Sequence, residues 1–117
     1  MIAKSLKSFT YAWRGLVTTW KEENNFRIEV IAAILVTLCM FIFDFTLPEM
    51  LFCILSITLV LSAEIINTAI EDLCNKIESQ TDPVIAKIKD TSSAFVLVLS
   101  FGALIIGILV FVYHFLY

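Results

Sequence analysis

The chain has 117 residues, of which 60% are hydrophobic and 16% are charged, and its mean hydropathy is +0.94. This length fits a single domain, and this composition is typical of a membrane protein rather than of a soluble one. The formal net charge of −3 gives no basis for binding nucleic acid.

The first 26 residues are predicted to form an amphipathic helix on the membrane surface. Seven apolar side chains fall within about a 100° arc of a helix, and the basic residues lie outside that arc. The seven are Ile2, Leu6, Phe9, Trp13, Leu16, Val17 and Trp20. The pattern indicates a helix in the cytoplasmic interface with its tryptophans at headgroup depth. Packing of this helix on a transmembrane bundle is an open alternative, and the two arrangements can coexist.

Three apolar segments follow, and each is predicted to contain a membrane span. Residues 91–117 carry no charge over 27 positions, which exceeds the roughly 20 residues needed to cross a bilayer. Residues 30–43 and 50–63 are uncharged over 14 positions each, so they span only with flanking residues, and the turn at 44–49 separates them. We expect one all-α domain over residues 1–117, with helices at about 28–46, 49–75 and 85–117.

The basic residues indicate the orientation of these spans. All eight lysines and arginines precede the first span or lie between the second and the third. Positive charge marks the cytoplasmic side of a membrane protein. We therefore expect a multi-pass membrane protein. Its N-terminus and its 72–90 loop should be cytoplasmic, and the turn at 44–49 should face outward.

A polar stripe occupies the end of the second span. Glu64, Asn67, Glu71 and Asn75 lie at offsets of 3, 7 and 11 residues, which places them within roughly an 80° arc of one helix. Isoleucines and alanines fill the rest of this stretch, and a carboxylate among them costs several kcal/mol unless it is paired, protonated or hydrated. The stripe therefore indicates a functional site.

Two further polar clusters lie at the same cytoplasmic edge. One contains the carboxylates Glu22, Glu23 and Glu29, and the other contains Lys87, Lys89 and Asp90. Mg²⁺ takes one or two carboxylates together with nucleotide phosphates, and phosphoryl transfer depends mainly on positioning and charge neutralisation. Together the clusters favour transfer of phosphate from a soluble nucleotide to a hydroxyl held at membrane depth. The alternative is that the flanking charges are solvated and reflect topology alone.

Three segments resemble one family along nearly the whole chain. Residues 63–71, Ala-Glu-Ile-Ile-Asn-Thr-Ala-Ile-Glu, resemble the signature of the small bacterial integral-membrane diacylglycerol kinases, a family that includes undecaprenol kinases. Residues 11–15 and 20–29 resemble the N-terminal half of that family. Lys89-Asp90 followed by Ser93-Ala94 resembles the start of its third span.

The resemblance implies a homotrimer of three-span subunits with active sites shared between neighbours. It also implies an ATP-dependent diacylglycerol kinase that uses Mg²⁺ and produces phosphatidic acid. Glu64 is then the catalytic base, and Glu23 and Glu71 are the metal ligands. The implied nucleotide-binding residues are Tyr11, Glu23, Asn67, Glu71, Lys89 and Asp90. The implied lipid-binding residues are Trp13, Glu64 and Ser93.

Two positions depart from the family pattern. Asn75 stands where the family usually has aspartate, and Lys4 stands where many relatives have arginine, whose guanidinium can form a bidentate contact that an ammonium cannot. Two other functions stay open. One is an undecaprenol kinase of the same family. The other is a non-enzymatic small membrane oligomer in which Glu64 relays protons.

Overall fold

A computed structural model of the chain describes residues 1–78 and 82–117, and these residues form α-helices without any β-strand. The helices are α1 (Ile2–Glu22), α2 (Asn24–Ile42), α3 (Leu47–Ile77) and α4 (Pro83–Leu116).

Within these ranges, α2, α3 and α4 are each long and apolar enough to cross a membrane. They contain 19, 31 and 34 residues, so α4 alone extends over about 51 Å. The prediction of three helices that can span a membrane is therefore confirmed. The first of them begins at Asn24 rather than at about residue 28, so Glu29 lies inside α2.

The central helix is α3, which packs mainly against α4 and also contacts α2 and α1. Its buried residues are small or polar rather than large and apolar. They are Glu49, Cys53, Ser56, Ala63, Glu64, Asn67, Thr68 and Cys74. Large apolar side chains on α2 and α4, such as Leu38 and Val98, are instead exposed. This distribution suits a bilayer, where small and polar residues line helix contacts and apolar side chains can face lipid.

The junction of α1 and α2 positions Glu23. Its backbone is extended, with φ −108° and ψ 110°, so α1 ends at Glu22 and α2 begins at Asn24. The Glu23 N–H donates to the carbonyl oxygen of Thr19 at 2.9 Å, and Phe26 in the first turn of α2 is buried. These contacts anchor the joint and hold Glu23 between the two helices.

A tight turn connects α2 to α3. Asp44 has φ 51°, a left-handed conformation that aspartate tolerates better than most residues. Thr46 and Glu49 form a reciprocal capping box, in which each side chain accepts a hydrogen bond from the other residue's backbone N–H. Pro48 in the first turn suits a helix start, because its missing N–H would have no partner there.

His114 joins the C-terminal end of α4 to this turn. Its Nδ1 lies 2.8 Å from Oε2 of Glu49, and its Nε2 lies 2.8 Å from the carbonyl oxygen of Phe43. Because a carbonyl only accepts, Nε2 carries a hydrogen, and one further proton is held between Nδ1 and the Glu49 carboxyl group. The ring of Phe45 packs on the imidazole at a centroid distance of 4.3 Å. We call these four residues the hairpin clasp.

We expect His114→Ala to destabilise the protein, because it removes both contacts and leaves the buried Glu49 with fewer partners. Hydrogen bonds that involve charged groups contribute about 1.5–3 kcal/mol each, so the loss should be about 2 kcal/mol or more. Thermal unfolding in detergent would measure this as a lower midpoint. Leu116→Ala, an exposed position in the same helical turn, is the matched control. Equal midpoints for the two variants would contradict a stabilising role of the clasp.

Candidate active site

The polar stripe predicted from the sequence lies along one face of α3, and a hydrogen bond joins two of its side chains. Glu64 is 3% exposed and Asn67 is 7% exposed, so both are buried, and both lie in the C-terminal half of α3. Nδ2 of Asn67 donates to Oε1 of Glu71 at 3.2 Å, which shows that these side chains share a face. Asn75 continues the same face and is exposed. We call Glu64, Asn67, Glu71 and Asn75 the polar ladder.

Two residues of α4 are hydrogen-bonded to the ladder. Oγ of Ser92 donates to Oδ1 of Asn67 at 2.7 Å, and Nζ of Lys89 donates to Oδ1 of Asn75 at 2.8 Å. Asn67 therefore uses its carbonyl toward Ser92 and its amino group toward Glu71, which fixes the orientation of the amide. Hydrogen bonds from α4 thus hold the ladder at two points, the buried Asn67 and the exposed Asn75.

Ser92 was missed by the sequence analysis, which named Ser93 from the resemblance. Ser92 is buried, whereas Ser93 is exposed. Both lie about one helical turn after Lys89, so spacing alone does not separate them. The rotation of α4 against α3 selects Ser92 for the contact with Asn67.

A cluster of three carboxylate side chains, those of Glu23, Glu64 and Glu71, lies around the middle of the ladder. Partial burial and the charges of Glu71, Asp72 and Glu22 raise the pKa of the Glu23 carboxyl above its usual value. Glu64 is also within electrostatic range of Glu23 and Glu71. The α1–α2 junction and α3 therefore bring the three predicted carboxylates together, with a local excess of negative charge that a cation would relieve.

The donor set fits a magnesium ion that arrives with a nucleotide. Within residues 1–78 and 82–117, no group of three or more His, Cys, Asp or Glu side chains could hold a metal by itself. Mg²⁺ bound to a nucleotide needs only one or two protein carboxylates, because phosphates and water complete its shell. Glu23 and Glu71 can supply that number.

Glu29 was treated in the sequence analysis as a flanking charge, but it lies beside the site. Its Oε2 is buried and has no hydrogen-bond partner, and its carboxyl group interacts electrostatically with Glu64. An unsatisfied carboxyl oxygen is costly, and such groups mark places where a ligand can supply the missing partner. The early start of α2 at Asn24 brings Glu29 into this position.

Glu29 also lines one end of a long apolar cavity between α2, α3 and α4. The cavity has a volume of about 510 Å³ and reaches Phe111 near the far end of α4. Its other lining residues are apolar or small, and include Ala33, Val36, Val60, Leu61 and Gly107. The cavity therefore joins an apolar slot to the carboxyl group of Glu29, which interacts electrostatically with Glu64, a residue outside the cavity lining.

A second cavity of about 690 Å³ lies between α1 and α3. Polar residues in its lining include Tyr11, Arg14, Thr19, Glu22, Thr68 and Asp72. The guanidinium carbon of Arg14 lies 5.6 Å from the centroid of the Tyr11 ring. Tyr11 thus lines the same cavity as Glu22 and Asp72, whereas Glu23, Glu64 and Glu71 lie outside its lining. Trp13, Asp90 and Ser93 are exposed on α1 and α4 and lie outside the hydrogen-bonded ladder of the single chain.

Comparison with known proteins gives a consistent result. The family model for prokaryotic diacylglycerol kinase matches residues 10–111. The chain is 34% identical over 105 residues to an undecaprenol kinase of Bacillus subtilis (strain 168), which covers 90% of this chain and 85% of that protein. It is 32% identical over 110 residues to a diacylglycerol kinase of Escherichia coli (strain K12), with 94% and 90% covered. A diacylglycerol kinase of Haemophilus influenzae is 32% identical over 94 residues, with 80% and 79% covered.

Proposed function

Because the chain belongs to the prokaryotic diacylglycerol kinase family and is therefore a membrane-embedded lipid kinase, we propose that its lipid substrate is diacylglycerol. In this proposal it transfers the γ-phosphate of MgATP to the hydroxyl of diacylglycerol, and the product is phosphatidic acid. The reaction takes place at the cytoplasmic face of the bacterial inner membrane, which the distribution of basic residues supports.

The polar ladder is the observation that carries this proposal. It runs from the buried Glu64 to the exposed Asn75, a rise of about 16 Å along the helix. Its buried end, Glu64, lies about one helical turn from the cavity-lining residues Val60 and Leu61, and Asn75 at its exposed end accepts a hydrogen bond from the ammonium of Lys89. Such an arrangement connects a hydroxyl at membrane depth with a phosphate donor from the aqueous phase.

Glu64 acts as the general base in this proposal. It accepts the proton of the lipid hydroxyl while that oxygen forms a bond to the γ-phosphorus. The bond between the γ-phosphorus and the β–γ bridging oxygen breaks, and ADP leaves with the bridging oxygen. The electrostatic interaction of Glu64 with Glu29 supports this role, because Glu29 lines the apolar cavity in which the lipid would bind.

Glu23 and Glu71 would hold the magnesium ion of MgATP, which neutralises charge on the phosphates. Lys89 contacts the phosphate chain, and Asp90 and Tyr11 bind other parts of the nucleotide. Asn67 orders the site, because it bonds both Glu71 and Ser92. Trp13 and Ser93 would line the lipid site. Electrostatic contact between Glu23 and Glu71 within one chain supports the metal assignment.

The apolar cavity would hold an acyl chain of the lipid, and Glu29 would accept a hydrogen bond from its polar head. The orphaned Oε2 of Glu29 supports this placement. Trp13 and the sequence Phe26-Arg27-x-Glu29 favour diacylglycerol as the acceptor. The 34% identity to an undecaprenol kinase favours undecaprenol as a second candidate.

A direct assay separates these acceptors. The purified protein in mixed micelles would receive MgATP labelled at the γ-phosphate, with either diacylglycerol or undecaprenol. We expect labelled phosphatidic acid, and no label in the lipid when Glu64→Gln replaces the native chain. Label in undecaprenyl phosphate alone would overturn diacylglycerol as the substrate. Label in neither lipid would overturn both.

We also propose that the protein acts as a homotrimer with α1 on the membrane surface of each subunit. The open sides of both cavities and the exposed apolar faces of α2 and α4 support contact with a further copy. Native mass spectrometry of the protein released from detergent would test this stoichiometry, and a monomer under active assay conditions would contradict it.

Gly107 allows the assignment of the apolar cavity to be tested. A Cβ placed on Gly107 or on Gly102 would meet no atom within 4 Å, but only Gly107 lines the cavity. We expect Gly107→Leu to raise the KM for diacylglycerol about tenfold by occupying the slot, with the KM for MgATP unchanged. Gly102→Leu is the matched control in the same helix. Equal effects of the two variants on the lipid KM would contradict the assignment.

A further inference from the structure

The ammonium of Lys89 is held by a neutral partner. Its Nζ donates to Oδ1 of Asn75 at 2.8 Å, across the contact between α3 and α4. In the parts of the chain that the structure describes, the one ion pair joins His114 to Glu49, so Lys89 has no carboxylate within ion-pair distance there. Its position is therefore fixed while its charge is not cancelled.

The position of Asn75 also relates this charge to the metal-binding carboxylates. Asn75 follows Glu71 by four residues, so it lies one turn further along the same face, a rise of about 6 Å. Lys89 is half-buried and Asn75 is exposed, so the ammonium lies at the edge of the site toward water. An ammonium has three hydrogens to donate, and the contact with Asn75 uses one of them.

We propose that Asn75 is a positioning residue for the nucleotide, which it serves by orienting Lys89 without neutralising it. This inference rests on the proposed function, in which Lys89 binds the phosphate chain. An amide oxygen orients the ammonium through a hydrogen bond and leaves the full positive charge for phosphate oxygens. The aspartate that the family usually has at position 75 would also orient Lys89, but it would form an ion pair and leave less positive charge for the phosphates.

The charge argument gives a specific kinetic expectation for Asn75→Asp. At saturating lipid and low ionic strength, the KM for MgATP should rise about fivefold, while kcat stays within about twofold of the native value. The rise should shrink as salt is added, because screening weakens the new ion pair and the repulsion of phosphate. Asn75→Ala keeps the lysine charge and loses only its orientation, so its effect on KM should be smaller, about twofold, and insensitive to salt.

Val84→Asp provides a matched control for the added charge. Val84 is 62% exposed in the first turn of α4, on the same cytoplasmic side by the expected orientation. It precedes Lys89 by five residues, which turns its side chain about 140° away from Lys89 around the helix. An equal rise in the KM for MgATP in Val84→Asp and Asn75→Asp would overturn the proposal, because any added charge would then suffice. An unchanged KM in Asn75→Asp would overturn it as well.

Nucleotide binding in the Lys89→Met background shows whether Asn75 acts through Lys89. Equilibrium binding of the magnesium complex of AMP-PNP, a non-hydrolysable ATP analogue, would be measured for all four combinations of the two positions. We expect Asn75→Asp to weaken binding about fivefold when Lys89 is present and to have little effect in Lys89→Met. Equal weakening in both backgrounds would overturn the proposal and assign the effect to general repulsion of phosphate.

This binding measurement is independent of lipid phosphorylation. If the native protein phosphorylates neither lipid but binds the nucleotide with the expected coupling, the proposed lipid substrate fails and the role of Asn75 stands. If the native protein phosphorylates diacylglycerol and shows no coupling, the role of Asn75 fails and the proposed function stands.

Discussion

Replacement of Glu64 by glutamine should lower kcat for lipid phosphorylation by about 10²–10⁴-fold, the usual contribution of a general base. Glutamine has nearly the same shape as glutamate, so the packing around this 3% exposed side chain should be retained. The KM for MgATP should change little, because Glu23, Glu71 and Lys89 are assigned to the nucleotide. Steady-state rates with varied MgATP and varied diacylglycerol would measure both constants.

The pH dependence of the rate is a second test of Glu64 as the general base, with the same variant. A protonated Glu64 is too weak a base to take the hydroxyl proton, so the native rate should fall in acid. The residual rate of Glu64→Gln should lack that fall. Glu49→Gln, the same exchange at the other end of α3, controls for the loss of a buried carboxylate outside the site. A Glu64→Gln protein that keeps its kcat but binds MgATP poorly would move Glu64 from the base role to the nucleotide site.

Glu71→Gln should reduce turnover by about 100-fold or more, because it removes one of two carboxylates assigned to the magnesium ion. The glutamine carbonyl can still accept the hydrogen bond from Nδ2 of Asn67, so the ladder should keep its geometry. Glu71→Gln therefore tests the loss of the negative charge without a loss of the hydrogen bond to Asn67. Glu23→Gln should raise the concentration of Mg²⁺ needed for half-maximal rate about tenfold or abolish activity, since it removes the other carboxylate assigned to the ion.

Magnesium titrations at constant free ATP would measure these effects, and circular dichroism would confirm that the helices persist. Asp44→Asn is a suitable control. It removes one negative charge from the α2–α3 turn, far from the site, and asparagine also tolerates the left-handed backbone there. A Glu71→Gln protein with a native rate and a native magnesium requirement would remove Glu71 from the metal site.

The polar ladder and the three spans could be predicted from the sequence because both depend on periodicity along one helix. Side chains at offsets of 3 and 7 residues share a face whatever the helix packs against. The uncharged length of the last segment likewise requires a span in any fold. The structure therefore added contacts to Glu64, Asn67 and Glu71, and it did not change their relative placement.

Contacts between helices were not predictable in the same way. The choice of Ser92 over Ser93 depends on a rotation of α4 that no local pattern specifies. The burial of the Glu29 carboxyl group depends on where α2 begins and on the packing of α3 beside it. His114 and Glu49 are 65 residues apart, and neither shows a periodic signal that points to the other.

The hairpin clasp implies an order of assembly at the end of the molecule that carries the α2–α3 turn. Synthesis proceeds from the N-terminus, so α2 and α3 can insert into the membrane before α4 is complete. The capping box of Thr46 and Glu49 joins residues three apart, and it can form in the hairpin alone. The contacts of His114 span 65 and 71 residues, so they form only after α4 has been inserted. Glu49 therefore takes its first partner from its own turn and its second from the last helix to arrive.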